Sequence, residues 1–149
     1  MKIYITRKIP EIGIKMLKDK GYEVDISQKD RVLSKKELIK YLKIKPYDAV
    51  LCLLTDKIDG DVFDAAPNAK IFANYAAGFD NIDMETAKKR NIMVTNTPGV
   101  LSEAVAEHAV ALMLAIGRRI VESDKFIRAG KYKGWAPMLF LGDGIFGKT

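Results

Sequence analysis

The stretch Asp48–Leu54 (DAVLCLL) constrains this chain more than any other segment. From Ala49 to Leu54 every residue is apolar, with no polar residue at alternate positions. A strand with one wet face alternates, so an unbroken apolar run of this length reads as a central parallel strand covered on both faces. Parallel neighbours cannot be joined by a tight turn. Each needs a crossover, usually a helix, and the crossover is right-handed. The rest of the sequence supplies that alternation. Lys2–Thr6 (KIYIT) reads as a strand, and Pro10 opens a stretch with Ile12, Met16 and Leu17 at helical spacing that Gly21 stops. Tyr22–Ser27 (YEVDIS) alternates as a second strand. Ser34 and Glu37 have capping-box spacing, with Leu38, Tyr41 and Leu42 on one face of the helix that follows and Pro46 ending it. After the apolar strand come a short helix over Asp61–Ala66, a strand over Lys70–Tyr75, a short helix over Asp83–Arg90 and a strand over Asn91–Thr95. The fold class is therefore α/β: a five-stranded parallel sheet with flanking helices. In such sheets ligands lie beyond the carboxyl ends of the strands, which singles out Leu53–Asp56, Tyr75–Asp80 and Asn96–Leu101.

Composition narrows the function classes. The chain has 149 residues, of which 48% are hydrophobic, enough for one packed core. Its single cysteine, Cys52, rules out a disulfide framework and a cysteine-based zinc cluster, and its place in the apolar run reads as a buried, inert thiol. The net charge is +6, and residues 1–46 hold 13 of the 25 Lys/Arg but 6 of the 19 Asp/Glu. These lysines alternate with acids and apolar residues at helical periods without an aromatic platform, so they read as a solvated face and no nucleic-acid partner is expected. Charges interrupt the short apolar N-terminal stretch, unlike a secretory signal, and the weakly charged run Ala109–Gly117 falls far below the ~20 residues of a membrane span. A cytoplasmic protein with no membrane partner is the expectation.

After Pro98 the pattern changes. Ser102–Arg118 reads as a long helix with apolar residues on almost every side, which must be buried against something large; with the five-strand unit already complete, this helix and the aromatic tail after it suggest a missing partner domain or subunit. A further helix near Arg119–Ala129 stops at Gly130, and a glycine-rich tail with Trp135 and Phe140 follows. Trp135 suits a partner contact or packing on a neighbouring helix.

Three places could carry chemistry. In Tyr75–Asp80 (YAAGFD) a strand ends in small residues and turns; Gly78 permits backbone geometry that other residues resist, and free N–H groups in such a turn can hold an anion. By itself this signal is weak, since many parallel sheets turn at glycine. Gly142–Thr149 matches the phosphate-loop pattern G-x-x-x-x-G-K-[ST], but that chemistry needs a strand before and a helix after, and the match reads as coincidence. His108, the only histidine, sits in the apolar helix beside Glu107, with no nucleophile or metal-ligand partner at suitable spacing, and reads as structural or surface-facing.

Taken together, Leu53–Asp59 (LLTDKID), Ala76–Asp83 (AAGFDNID), Asn96–His108 (NTPGVLSEAVAEH), Gly117–Arg119 and the Trp135 segment resemble, in that order, the D-isomer-specific 2-hydroxyacid dehydrogenases, and most of all their glyoxylate and hydroxypyruvate reductase branch. The resemblance covers the whole chain. It implies a flavodoxin-like substrate-binding domain over residues 1–98. Residues 99–149 would be the beginning of a Rossmann dinucleotide-binding domain, and the chain would end before the glycine fingerprint. It implies an NAD- or NADP-dependent oxidoreductase reducing a small 2-oxo acid to the D-2-hydroxy acid. By this likeness Ala77 and Gly78 hold the substrate carboxylate through their backbone N–H groups, Leu53 and Leu54 lie in a loop closing over the substrate, and Ala77 and Val105 contact the cofactor. An apolar residue at Leu53, where the phosphoglycerate branch tends to carry Arg, points to a small uncharged substrate tail. The family's catalytic Arg, Glu and His match nothing in this chain, so no catalytic residue is assigned, and the chain alone is expected to be inactive. The likeness also implies a homodimer through residues 100–141, with Trp135 and Leu139–Leu141 in the contact. A non-catalytic dimerising or regulatory β/α module is the alternative, and a phosphate-loop nucleotide binder a weaker one.

Overall fold

The computed structural model of the chain describes residues 1–147. Contacts divide it into two compact units, Met1–Val100 and the chain from Leu101 onward. In the first unit the elements run β1 (Lys2–Ile5), α1 (Glu11–Asp19), β2 (Glu23–Ile26), α2 (Lys35–Leu42), β3 (Ala49–Leu53), α3 (Gly60–Ala65), β4 (Ile71–Tyr75), α4 (Met84–Lys89) and β5 (Met93–Thr95). All strand pairs are parallel and the order across the sheet is β2-β1-β3-β4-β5, the flavodoxin-like arrangement.

The register explains the unbroken apolar run. Tyr4, Val50, Phe72 and Val94 lie side by side across the sheet. They pack on one face with Leu38 and Leu42 of α2, Val62 and Phe63 of α3, and Ala87 of α4. Phe63 meets Phe72 edge-to-face at 4.9 Å between ring centroids. The alternate residues Ile3, Ile5 and Ala49 face the other way and pack with Ile9 and with Ile14 of α1. A strand wanted by both layers cannot alternate. Each fully buried side chain of this size contributes about 1.5–3 kcal/mol relative to exposure.

Two helices differ in detail from the sequence pattern. α1 forms, but its buried line runs through Ile14 and the partly buried Leu17, while Ile12 and Met16 are exposed. Ile14 and Leu17 stand three residues apart and so share a face; Ile12 and Met16 form a second pair at four-residue spacing on the outer side. α2 has the predicted capping box, with the Ser34 hydroxyl accepting from the Glu37 N–H and the Glu37 carboxylate accepting from the Ser34 N–H. It ends at Leu42 rather than at Pro46. The turn that follows lets buried Tyr47 donate its hydroxyl to Asp25 at 2.9 Å, a tie that a helix continued to Pro46 would not allow.

The second unit holds α5 (Ser102–Gly117) and α6 (Ile120–Arg128). No residue of either helix is buried. The cover that so apolar a helix demands is not supplied among the described residues: Val105, Leu112, Met113 and Ile116 are each at least half exposed. Arg119, in the left-handed region at φ 54°, breaks the two helices apart; it pairs with Glu122 and lies over the Phe140 ring. Gly142 is a place where glycine is required, because a Cβ there would strike the carbonyl oxygen of Gly117, to which Asp143 donates its N–H at 2.8 Å. The first glycine of the phosphate-loop match therefore serves a close backbone approach. Lys148 and Thr149, which complete that match, lie outside the described residues. Trp135 is 82% exposed.

Candidate functional site

At the carboxyl ends of β3, β4 and β5 the chain makes two neighbouring loops. The first, Leu53–Asp56, is closed by its own backbone and by a buried carboxylate. The Asp56 N–H donates to the Leu53 carbonyl, and Oδ2 of Asp56 accepts from the Leu53 N–H at 2.9 Å and from the Thr6 hydroxyl at 2.5 Å. Leu53 is half-buried and Leu54 is exposed.

The second, Ala76–Asp80, is held by its carbonyls. The Ala76 oxygen accepts from the Thr97 N–H at 2.8 Å and the Thr97 hydroxyl at 3.1 Å. The Ala77 oxygen accepts from Nδ2 of Asn96 at 2.7 Å, and the Gly78 oxygen from Nδ2 of Asn74 at 2.9 Å. In a trans peptide the N–H points opposite to the C=O. Gripping the Ala76 and Ala77 carbonyls therefore turns the N–H groups of Ala77 and Gly78 away from the side chains that grip them. Among the described residues neither N–H has an acceptor. Both residues are exposed. Two fixed, unspent donors on adjacent residues are what an anion-binding turn needs.

The reason for glycine differs from the sequence expectation. Gly78 is not among the residues with positive φ, so the backbone there does not demand it. A Cβ at Gly78 would meet only Oδ2 of Asp80, at 3.6 Å. The missing side chain keeps the space above the amides open.

The structure thus brings Leu53, Leu54, Ala77 and Gly78 onto one end of the sheet. Val105 belongs to the second unit, where it lies on α5, 61% exposed. His108 is likewise exposed on α5. Larger cavities, of about 460 Å³ each, open at the amino ends of β4 and β5 beside Lys70 and Arg90, and beside β2 at Tyr41 and Lys45. Their linings do not include the turn. The carboxyl ends of β3–β5 hold a smaller cavity of about 110 Å³, lined by Asn74, Asn96 and Thr97 among others. Among the described residues no group of three or more His, Cys, Asp or Glu could hold a metal ion, and no helix is long and apolar enough to cross a membrane.

Asp56, Asn96 and Thr97 fall within segments that the sequence pattern placed at the ligand end of the sheet, but neither they nor Asn74 and Asn81 were given a role in it. Their partners lie up to 50 residues away, so no local spacing marks them. Only position at the strand ends gave a signal.

Comparison with known proteins decides the family. Residues 3–141 match the D-isomer specific 2-hydroxyacid dehydrogenase, catalytic domain. The chain belongs to this family. A glyoxylate reductase from Thermococcus litoralis is 49% identical over 152 residues, covering 99% of this chain and 45% of the relative. The chain thus spans about half the length of the curated relatives it matches. Among solved structures, the TT0316 protein from Thermus thermophilus superposes with a TM-score of 0.89 at 38% identity, covering 96% of this chain and 45% of that one. An NAD+-bound 3-phosphoglycerate dehydrogenase from Entamoeba histolytica superposes with a TM-score of 0.67 at 31% identity, over 79% of this chain and 39% of that one.

Proposed function

We propose that this chain supplies the substrate-anchoring part of an NAD- or NADP-dependent reductase that converts a small 2-oxo acid, of the glyoxylate or hydroxypyruvate type, to its D-2-hydroxy acid. The observation that carries this reading is the turn Ala76–Asp80, whose carbonyls are gripped from behind and whose Ala77 and Gly78 N–H groups are left without partners. A carboxylate takes two such donors at once, and charge-assisted bonds of this kind are the strong ones. Half-buried Leu53 and exposed Leu54 on the neighbouring loop offer an apolar edge that suits a short, uncharged tail. Family membership and the glyoxylate reductase likeness support the same substrate class.

When bound, the nicotinamide cofactor would supply the hydride. Ala77 and Val105 are the positions proposed to touch it. Gly142–Gly147 (GDGIFG) has Gly-x-Gly-x-x-Gly spacing, but among the described residues no strand leads directly into it and no helix follows it, the context that dinucleotide binding needs, so the groups here do not hold a dinucleotide by themselves. What they do is bind and orient the acid. Residues 1–98 are proposed as the substrate domain and 99–149 as the opening of the cofactor domain. A homodimer through residues 100–141 is proposed on the exposure of Trp135, Met138 and Leu141; sedimentation showing only monomer at high protein concentration removes it.

Titration of the isotope-labelled chain with glyoxylate tests the anchor. The Ala77 and Gly78 amide resonances should move first and furthest. Shifts absent from residues 74–80 at high ligand concentration would rule the anchor out.

A further inference from the structure

The two loops of the site are tied together through one side chain. Nδ2 of Asn81 donates to the Leu53 carbonyl at 3.2 Å and to the Asp56 carbonyl at 3.0 Å. Its Oδ1 accepts from Nδ2 of Asn74 at 3.0 Å, and that same nitrogen holds the Gly78 carbonyl at 2.9 Å. The orientation of both amides is dictated by chemistry. An end that faces carbonyl oxygens must be the NH2 end, because two acceptors would repel. The backbone of Asn81 takes part as well, its carbonyl accepting from the Ile58 N–H at 2.8 Å, while the Asp83 N–H returns to the Ile58 carbonyl at 2.8 Å. Asn74 is 3% exposed, so water cannot readily replace its bonds, and losing a partner there leaves a buried polar group unpaired.

We infer that Asn81, seconded by Asn74, is a positioning residue that fixes the spacing between the Leu53–Asp56 loop and the Ala76–Asp80 turn. Through that spacing it sets how large an acid the site admits. The inference takes its functional meaning from the proposed carboxylate anchor. A residue with this role touches no substrate. It holds Gly78 on one side and Leu53 on the other. An acid with a longer tail needs the two to separate, and the shared amide opposes that.

Two variants separate this role from general stabilisation. Asn81→Asp keeps the size of the side chain and its acceptor for Asn74 but cannot donate; Asn81→Ala removes both functions and adds no charge beside buried Asp56. Amide hydrogen exchange is followed in each. With the yoke lost, the Leu53 and Asp56 amides should exchange about tenfold faster or more, while Val50 and Phe72 in the sheet keep the wild-type rate. In parallel, the ratio of glyoxylate to 2-oxobutyrate affinity should fall about threefold or more as the loops part. Unchanged exchange at Leu53 and Asp56 overturns the inference. So does equal acceleration at Val50 and Phe72, which would mean that Asn81 only stabilises the fold at large. An unchanged affinity ratio beside loosened loops overturns the specificity role. Should wild-type protein bind neither acid while the local exchange pattern appears, the spacing role stands and the carboxylate anchor falls.

Discussion

The sheet unit and the helical unit solve the same problem differently. In the first, each of α1 to α4 buries at least one residue against the sheet. In the second, α5 has a more apolar sequence than any of them and buries none. Apolar content therefore says how much surface a helix would gain by being covered, and the neighbouring layer says whether it is. Side-chain caps occur only in the sheet unit among the described residues, at α2 and α4, although α1 and α3 lack them. α2 opens on a full capping box, while α5 opens on Leu101 with no side-chain cap.

The contrast can be broken most sharply with a thiol reagent. Burial, reinforced by nearby Asp56, pushes the Cys52 thiol up to about 12. In the folded chain it is both covered and protonated at pH 8, whereas an unfolded cysteine titrates at about 8.5. Native Cys52 should react at least about 1,000-fold more slowly than a thiol introduced by Leu112→Cys on α5, with its rate tracking global opening. Comparable rates would mean that α5 is covered in solution. The same linkage has a stability sign: the folded state favours the neutral thiol, so this contribution is lost as pH rises from about 8.5 towards 12.

A smaller effect is expected from truncations. Phe72→Ala removes a fully buried ring and should cost about 3–5 kcal/mol in denaturant unfolding. Leu112→Ala, at a half-exposed position, should stay within about 0.5 kcal/mol. A large cost at Leu112 would show a partner on α5.

The smallest effect sharpens the capping contrast. Arg31, then Lys29 and the Ser34 N–H, hold the Glu37 carboxyl well below the usual carboxylate range. A depressed carboxylate stabilises the fold above its unfolded pKa, near pH 4.3, and loses that contribution as pH falls. Glu37→Gln should therefore lower Tm slightly at pH 7, and the gap to wild type should close on acidification. A gap that widened below pH 4 would contradict this.

Much of this architecture was legible because it rests on local or periodic signals. The run Ala49–Leu54, the Ser34–Glu37 pair and Gly130, with its positive φ after α6, each act through neighbours a few residues away. The turn at Ala77 and Gly78 was legible as small residues after a strand, but its working parts were not. Asn96 and Thr97 reach it across 19 and 21 residues, and Asn81 reaches Leu53 across 28. An asparagine looks the same in sequence whether it faces water or holds two loops. What covers α5 was not legible for the converse reason, since an all-apolar helix records a demand for cover and not its source.

The hold of Thr97 and Asn96 on the turn has a thermal consequence. β5 is a three-residue edge strand, and the two residues after it keep the Ala77 and Gly78 amides aimed. Edges of sheets fray first on warming. The aim of the donors is thus tied to the sheet's least secure margin, and heat should blunt the grip on an acid well before Val50 and Phe72 come apart.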